Sequence, residues 1–311
     1  MKIVLTDKSL DGCQFPSGTK VVKVACKNLN DYNNNSDVVA IAGSRAMAIN
    51  ANKFQFPGLK LIQLTSAGYD GVPLNDFRRH GIAVANAGSV YSIPIAETVV
   101  LGMLLMAKKL HDNPNNRHIK LHRHYVQIIE LSHKNVMILG TGSIGTEIAK
   151  RLSGFDMIVD GYAQSKGERE YFNTVMCSRK ELIDNIPKYD YVISTLPDND
   201  KTRGFLDMEL LNQMKDSTVV INVGRKSVLN EEDLYTTLKS EKIGGAVLDM
   251  FEKIPNPITN RFRRLNNVIV LPGVAAISQE VDVRLKKLLE RNICSLLMGR
   301  EIECVINGGI I

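Results

Sequence analysis

An apolar run at 136–139 (VMIL) passes directly into Gly140-Thr-Gly142-Ser-Ile-Gly145, and that into a helix-forming stretch at 146–152. A glycine triad of this spacing is informative when a strand precedes it and a helix follows, which is its setting here. The first glycine allows a tight turn, the second lets a diphosphate approach the backbone, and the third brings helix and strand together. The N–H groups of Ser143 and Ile144 then face the diphosphate at the positive end of the helix. The segment therefore predicts a dinucleotide-binding turn built from Gly140, Gly142, Ser143, Ile144 and Gly145.

The identity of the dinucleotide is read further on. A carboxylate about 20 residues downstream would hold the ribose 2′-hydroxyl of NAD. Residues 161–166 read Gly-Tyr-Ala-Gln-Ser-Lys, with Ala163 at the expected place and Asp160 close by. Without that negative charge a 2′-phosphate is not repelled, and Gln164, Ser165 and Lys166 are placed to hold it. The coenzyme expected is NADP or NAD, with the balance toward NADP.

Apolar runs alternate with helix-compatible segments along the whole chain, the pattern of a parallel sheet in an α/β protein. Strands are expected at 1–6, 38–42, 59–64 and 82–85, then at 136–139, 158–159, 191–195, 219–222, 246–248 and 268–271. A Leu-, Met- and Ala-rich helix is expected over 95–110, a polar loop over 111–124, and a last helix over 281–298. That last helix has apolar spacing at Val283, Leu285, Leu288, Leu289 and Ile293. With 311 residues, two domains are expected.

Composition removes other classes. At 44% hydrophobic and 23% charged, with 23 Gly and 10 Pro, the chain is neither fibrous nor mostly disordered. No run of 18 apolar residues occurs, and the start MKIVLTD lacks a basic leader and an apolar segment, so neither a membrane span nor secretion is expected. Five cysteines (13, 26, 177, 294, 304) form no CxxC pair, which fits a reducing cytoplasm and argues against a structural metal. The net charge of +6 is spread over short clusters such as Arg78-Arg79 and Arg261 to Arg264. These read as solvated helix faces rather than a nucleic-acid surface, with attraction of an anionic substrate left open.

Seven segments in order resemble the D-isomer-specific 2-hydroxyacid dehydrogenase family, which includes glycerate and phosphoglycerate dehydrogenases. They are LTSAGYDGVPL (64–74), VANAGSVYSIPIAE (84–97), GTGSIG (140–145), STLPDNDKTRG (194–204), MKDSTVVINVGR (214–225), LNEEDLYTTLKSEKIGGAVLDMFE (229–252) and NNVIVLPG (266–273). The resemblance implies two doubly wound parallel-sheet domains, flavodoxin-like and Rossmann, with a cleft between them. The substrate domain would comprise 1–97 plus 279–311 and the dinucleotide domain 98–278. It also implies a homodimer contacted through the helix at 95–110, and a small 2-oxo or 2-hydroxy acid as substrate, with no nucleic acid or membrane partner.

Carried over by position, the backbone of Ser66, Ala67, Gly68 and Tyr69 would hold the substrate carboxylate, and Arg225 would be the catalytic guanidinium clamping it. Leu196, Pro197, Thr202 and Val223 would line the coenzyme, and Asp249 would hold the nicotinamide carboxamide. Two family positions depart. Gly273 stands where the family has its catalytic His, and Ile254 where it has the supporting Glu; Glu252 lies two residues off register. No His follows His133, so a shift of alignment does not restore one. An imidazole and its carboxylate depend on each other, so their joint replacement avoids an unpaired buried charge.

Substitute groups would have to come from the first half of the chain or from a partner subunit. His80 reads as a solvated residue, and His118, His122 and His124 sit with Arg123 and Tyr125 on the polar loop, without metal-site spacing. Tyr91 and Tyr69 flank the expected pocket as possible proton donors, although phenols near pKa 10 are poor bases. Two readings follow: an NAD(P)-dependent oxidoreductase with a rearranged acid–base group, or a catalytically impaired dinucleotide-binding protein with a regulatory role.

Overall fold

A computed structural model describes residues 1–51, 56–110, 128–249 and 261–308. The chain divides into two compact units, Met1–Tyr91 with Ser278–Ile311, and Ser92–Ile277.

The first unit holds strands β1 (Lys2–Thr6), β2 (Thr19–Lys23), β3 (Val38–Gly43), β4 (Leu61–Leu64) and β5 (Ala83–Ala85). They form one sheet in the order β2-β1-β3-β4-β5, with every pairing parallel. Helices α1 (Arg45–Ala51), α2 (Leu74–Arg79) and the start of α3 (Gly88–Ala107) follow β3, β4 and β5. Apart from the edge strand β2, its strands are apolar on both faces, as a covered parallel sheet requires. Ile3 and Leu5 enter one core with Met47 and Phe77, while Val4 enters the other. Four strand alanines, Ala40, Ala42, Ala83 and Ala85, make that second face shallow, and Leu285, Leu288, Leu289 and Ile293 of the C-terminal helix pack in the same core.

The helix expected over 95–110 starts earlier, at Gly88, and ends at Ala107 with Pro94 inside it. Proline removes the bond to the carbonyl four residues back. That carbonyl, Val90 O, accepts instead from Arg284 Nε at 3.2 Å, so the helix continues through the proline. By length and composition α3 could cross a membrane, yet 56% of its most apolar window is buried in the protein.

The second unit contains β6 (Asn135–Leu139), α4 (Ser143–Ser153), β7 (Ile158–Tyr162), β8 (Val175–Met176), α5 (Arg179–Asn185), β9 (Tyr191–Ser194), α6 (Met208–Asn212), β10 (Val219–Asn222), α7 (Glu231–Lys239), β11 (Gly245–Leu248) and β12 (Val268–Val270). Its sheet runs β12-β11-β10-β9-β6-β7-β8, all parallel. The chain moves outward from β6 through β8, then returns to place β9 on the other side of β6. That reversal between β6 and β9 is a topological switch point, where open α/β sheets bind ligands beyond the strand ends.

The chain closes with α8 (Glu280–Met298), back in the first unit. Val283 does not join the apolar stripe expected of it: it is 55% exposed, and Val281, one turn before Leu285, takes its place. The 3.6-residue period decides between them, since 281, 285, 288 and 289 share a face that 283 leaves.

Candidate coenzyme and anion sites

The glycine turn sits at the switch point, after β6 and before α4. Each glycine meets a different constraint. Gly140 has φ +106, a left-handed value, and donates its N–H to Tyr162 O at 2.9 Å. A Cβ on Gly145 would lie 2.0 Å from Gly140 O, so only glycine lets α4 start this close to the turn. A Cβ on Gly142 would meet nothing within 4 Å, and Gly142 caps α4 with no side-chain hydrogen bond. The initial N–H groups of a helix lack intrahelical acceptors. Open space at Gly142, at an uncapped helix start, fits the diphosphate of a dinucleotide.

Asp160 is not placed to hold a ribose hydroxyl. It is 5% exposed, with Oδ1 accepting from Thr174 Oγ1 and Oδ2 from Tyr189 Oη, both at 2.7 Å, and Lys188 Nζ at 3.1 Å. Burial alone would raise its pKa, but the bonds from Tyr189, Thr174 and Lys188 outweigh it and hold the carboxyl below its usual value. The bonded carboxylate therefore stabilises the fold above the ordinary carboxylate pKa, and this contribution is lost as pH falls through the folded value. Asp160→Asn is expected to cost about 2–3 kcal/mol at pH 7, with the gap from wild type shrinking toward pH 3, as read by urea unfolding at both values. A gap that widens on acidification would reverse the sign assigned here.

Beyond β7, Gln164, Ser165 and Lys166 are exposed on one loop. Arg169, which the residue spacing did not single out, folds back so that Nη2 donates to Ser165 Oγ at 3.4 Å. Two cations and a hydroxyl thus gather beyond the strand that carries no available acid.

Arg225 follows β10. Its carbonyl accepts from Asn222 Nδ2 at 3.2 Å, and Gly224 N–H donates to Asn222 Oδ1 at 3.3 Å, so Asn222 fixes the turn that carries the guanidinium. Leu196 belongs to the core and Val223 is buried. Thr202 spends its hydroxyl on Pro197 O at 2.6 Å and accepts from Asn199 N–H at 3.0 Å, so it shapes the loop after β9.

Asp249 lies just after β11 and is buried. Its Oδ1 accepts from Val274 N–H at 2.9 Å, and both oxygens accept from Ala275 N–H at 3.3 Å. Burial pushes its pKa up, against the pull of these backbone donors. Gly273, at the position of the expected imidazole, has φ +73. Ile254, Glu252, His118, His122 and His124 lie outside the described residues. His80 is exposed at the end of α2, as expected.

In the first unit, residues 65–69 leave β4 as a loop whose carbonyls are all engaged. Tyr91 Oη donates to Thr65 O (2.7 Å), Ala87 N–H to Ser66 O (3.0 Å), Asn86 Nδ2 to Ala67 O (2.8 Å), Ser66 Oγ to Gly68 O (2.7 Å) and Val72 N–H to Tyr69 O (3.0 Å). Among the described residues no acceptor meets the N–H groups of Ser66, Ala67 or Gly68. Three successive N–H groups without acceptors, on a loop pinned by its carbonyls, are open to an anion. Tyr91, expected as a possible proton donor, instead gives its proton to Thr65 O, and burial raises its pKa.

A family model described as D-isomer specific 2-hydroxyacid dehydrogenase, NAD binding domain, matches residues 100–275. The chain belongs to this family. The D-3-phosphoglycerate dehydrogenase of Archaeoglobus fulgidus is 28% identical over 252 residues, covering 80% of this chain and 47% of that protein, so the chain spans about half of that relative. The glyoxylate/hydroxypyruvate reductase B of Serratia proteamaculans is 28% identical over 276 residues, 86% of this chain and 83% of that one. The same fold occurs in the NADPH-dependent glyoxylate/hydroxypyruvate reductase of Sinorhizobium meliloti, solved with NADP and malonate. Its TM-score is 0.72 at 23% identity, covering 99% of this chain and 98% of that one. The α/β fold and the NAD-binding domain read from the sequence are those of the family.

Proposed function

We propose that this chain is an NADP(H)-linked oxidoreductase interconverting a small 2-oxo acid and its 2-hydroxy acid. The carrying observation is the run of N–H groups at 66–68 that no acceptor meets among the described residues, which suits a small carboxylate. When bound, the coenzyme supplies or accepts the hydride at the substrate's second carbon. Arg225 supplies a planar guanidinium of the kind that clamps a carboxylate and polarises a carbonyl oxygen, a task Lys would not match. In the direction of reduction one proton must reach that oxygen, and with glycine at 273 water delivers it. Positioned acid–base help is worth about 10²–10⁴-fold, so turnover should be slow by that factor. Steady-state reduction of glyoxylate, hydroxypyruvate and pyruvate with NADPH tests the reading. No turnover of any of them with coenzyme demonstrably bound would decide against it.

One observation favours a second reading, a dinucleotide-binding protein with a regulatory role: the glycine at 273 sits in a conformation that suits glycine, and Asp249 is engaged with the backbone beside it.

Preference for NADP rests on the sequestered Asp160 and on the Ser165, Lys166 and Arg169 group. Lys166→Ala and Arg169→Ala are each expected to weaken NADPH binding about tenfold and leave NADH unchanged, by fluorescence titration. A tenfold preference of the wild type for NADH would sink this assignment. Leu101 and Leu110, both 53% exposed at the α3 end of the second unit, support a homodimer, which light scattering would show as twice the chain mass. Five unpaired cysteines support a reducing, cytoplasmic location, which cell fractionation would test.

A further inference from the structure

Two amides sit in the apolar core of the first unit. Asn292 lies on the face of α8 that also buries Leu285, Leu288 and Leu289, and Gln63 lies within β4; both are wholly buried. An amide in such a place is costly unless its polar atoms are bonded. Here backbone groups decide which way each amide points. Glu303 N–H donates to Asn292 Oδ1 at 3.0 Å, so Nδ2 is left to donate, to Glu303 O at 3.0 Å and to Gln63 Oε1 at 2.6 Å. Gln63 Nε2 must then donate as well, and it meets Leu64 O at 3.0 Å and Asn86 O at 3.3 Å. Asn86 is oriented in the same manner. Gly88 N–H donates to its Oδ1 at 3.1 Å, which turns Nδ2 toward Ala67 O at 2.8 Å. Next to Glu303, Cys304 O accepts from Asn86 N–H at 3.1 Å.

This line of bonds ends on the loop at 66–68. A planar trans peptide ties each carbonyl to the N–H of the next residue. The Asn86 bond to Ala67 O therefore sets the direction of Gly68 N–H. The Gln63 bond to Asn86 O sets Ala87 N–H, which donates to Ser66 O at 3.0 Å and so sets Ala67 N–H. Two of the three N–H groups without acceptors take their aim from Gln63 and Asn86, and Gln63 takes its own from Asn292.

We infer that Asn292, Gln63 and Asn86 are positioning residues for the acid, aiming the N–H groups of Ala67 and Gly68 at its carboxylate from the last helix of the chain. This rests on the reading of 66–68 as the loop that takes the acid.

The test is binding of oxamate to the NADPH-loaded protein by calorimetry, with KM and kcat for glyoxylate measured beside it. Gln63→Met/Asn292→Leu replaces both amides by apolar groups of similar shape, so it should unfold at no lower a temperature than Asn292→Leu alone. It is expected to weaken oxamate and raise KM about tenfold each, with kcat and NADPH affinity within about twofold of wild type. Asn86→Ala removes only the last bond, at a half-buried position that leaves the core intact, and should weaken oxamate to the same degree. Asn307→Leu is the matched control. That buried amide takes Val84 N–H at 3.0 Å and gives to Ile82 O at 2.8 Å, so its loss should lower the unfolding temperature and leave oxamate unchanged. Oxamate held by the double variant and by Asn86→Ala as tightly as by wild type would overturn the inference. Equal weakening by Asn307→Leu, or a parallel fall in kcat and NADPH affinity, would do the same by showing a general loosening. If the wild type with NADPH bound takes no oxamate, the reading of 66–68 as the acid loop fails first and carries the inference with it.

Discussion

Gly142→Asp is expected to abolish dinucleotide binding while the protein stays folded. Gly142 has φ −78 and ψ −169, open to any residue, and a Cβ there meets nothing within 4 Å. Aspartate is moreover a favoured helix N-cap, so α4 should gain up to about 1 kcal/mol rather than lose stability. The new carboxylate would project into the space the diphosphate needs and repel it. Loss of the helix-end contacts plus like-charge repulsion should exceed about 3 kcal/mol, a loss of more than 100-fold in NADPH affinity. Gly145→Val separates the two roles of the motif. Its Cβ would stand 2.0 Å from Gly140 O, so α4 must leave β6, and both binding and several kcal/mol of stability should go. Fluorescence titration with NADPH and chemical denaturation of both variants distinguish the cases. If Gly142→Asp bound NADPH within tenfold of wild type, the diphosphate would not lie at this turn.

What the sequence made legible follows from where each signal lives. The glycine turn is local: strand, spacing and helix lie within a few residues, so the sequence alone carries the signal. Buried parallel strands such as 219–222 are apolar on both faces and stand out from their surroundings. β2 (TKVVK) lacks that contrast because it is an edge strand, half exposed and carrying two lysines. Arg169 could not be read because its role depends on a loop folding back to Ser165. The acid near β7 was visible, but not its engagement: Asp160 is tied up by Thr174, Lys188 and Tyr189, which the sequence places 14 to 29 residues away. A carboxylate-binding backbone at 66–69 is expected from resemblance alone, whereas the structure shows N–H groups without acceptors at 66–68. The pinning of that loop, with its carbonyls held by Tyr91, Asn86 and Ala87, comes from a helix and a strand end further along the chain.

Restoring the family's acid–base pair is expected to recover little activity. Gly273 has φ +73, where a residue with a Cβ pays about 1–2 kcal/mol. The same turn is gripped from the other side, since Asp249 takes the N–H groups of Val274 and Ala275. A histidine there must either accept a left-handed backbone, which aims its side chain differently from an extended one, or flip the peptide and break that grip. Gly273→His should therefore lower stability by about 1–2 kcal/mol. The double variant Gly273→His/Ile254→Glu should gain less than tenfold in single-turnover reduction of glyoxylate or hydroxypyruvate, out of the roughly 10²–10⁴-fold that positioned acid–base help can supply. A gain above 100-fold with unchanged stability would show that the loop still accommodates the imidazole and that one substitution had removed it. The smaller gain would mean that backbone, carboxylate and glycine have settled together around a different arrangement. In that case what carries the proton, if turnover occurs, must be sought in water held at this turn and not in the replaced side chains.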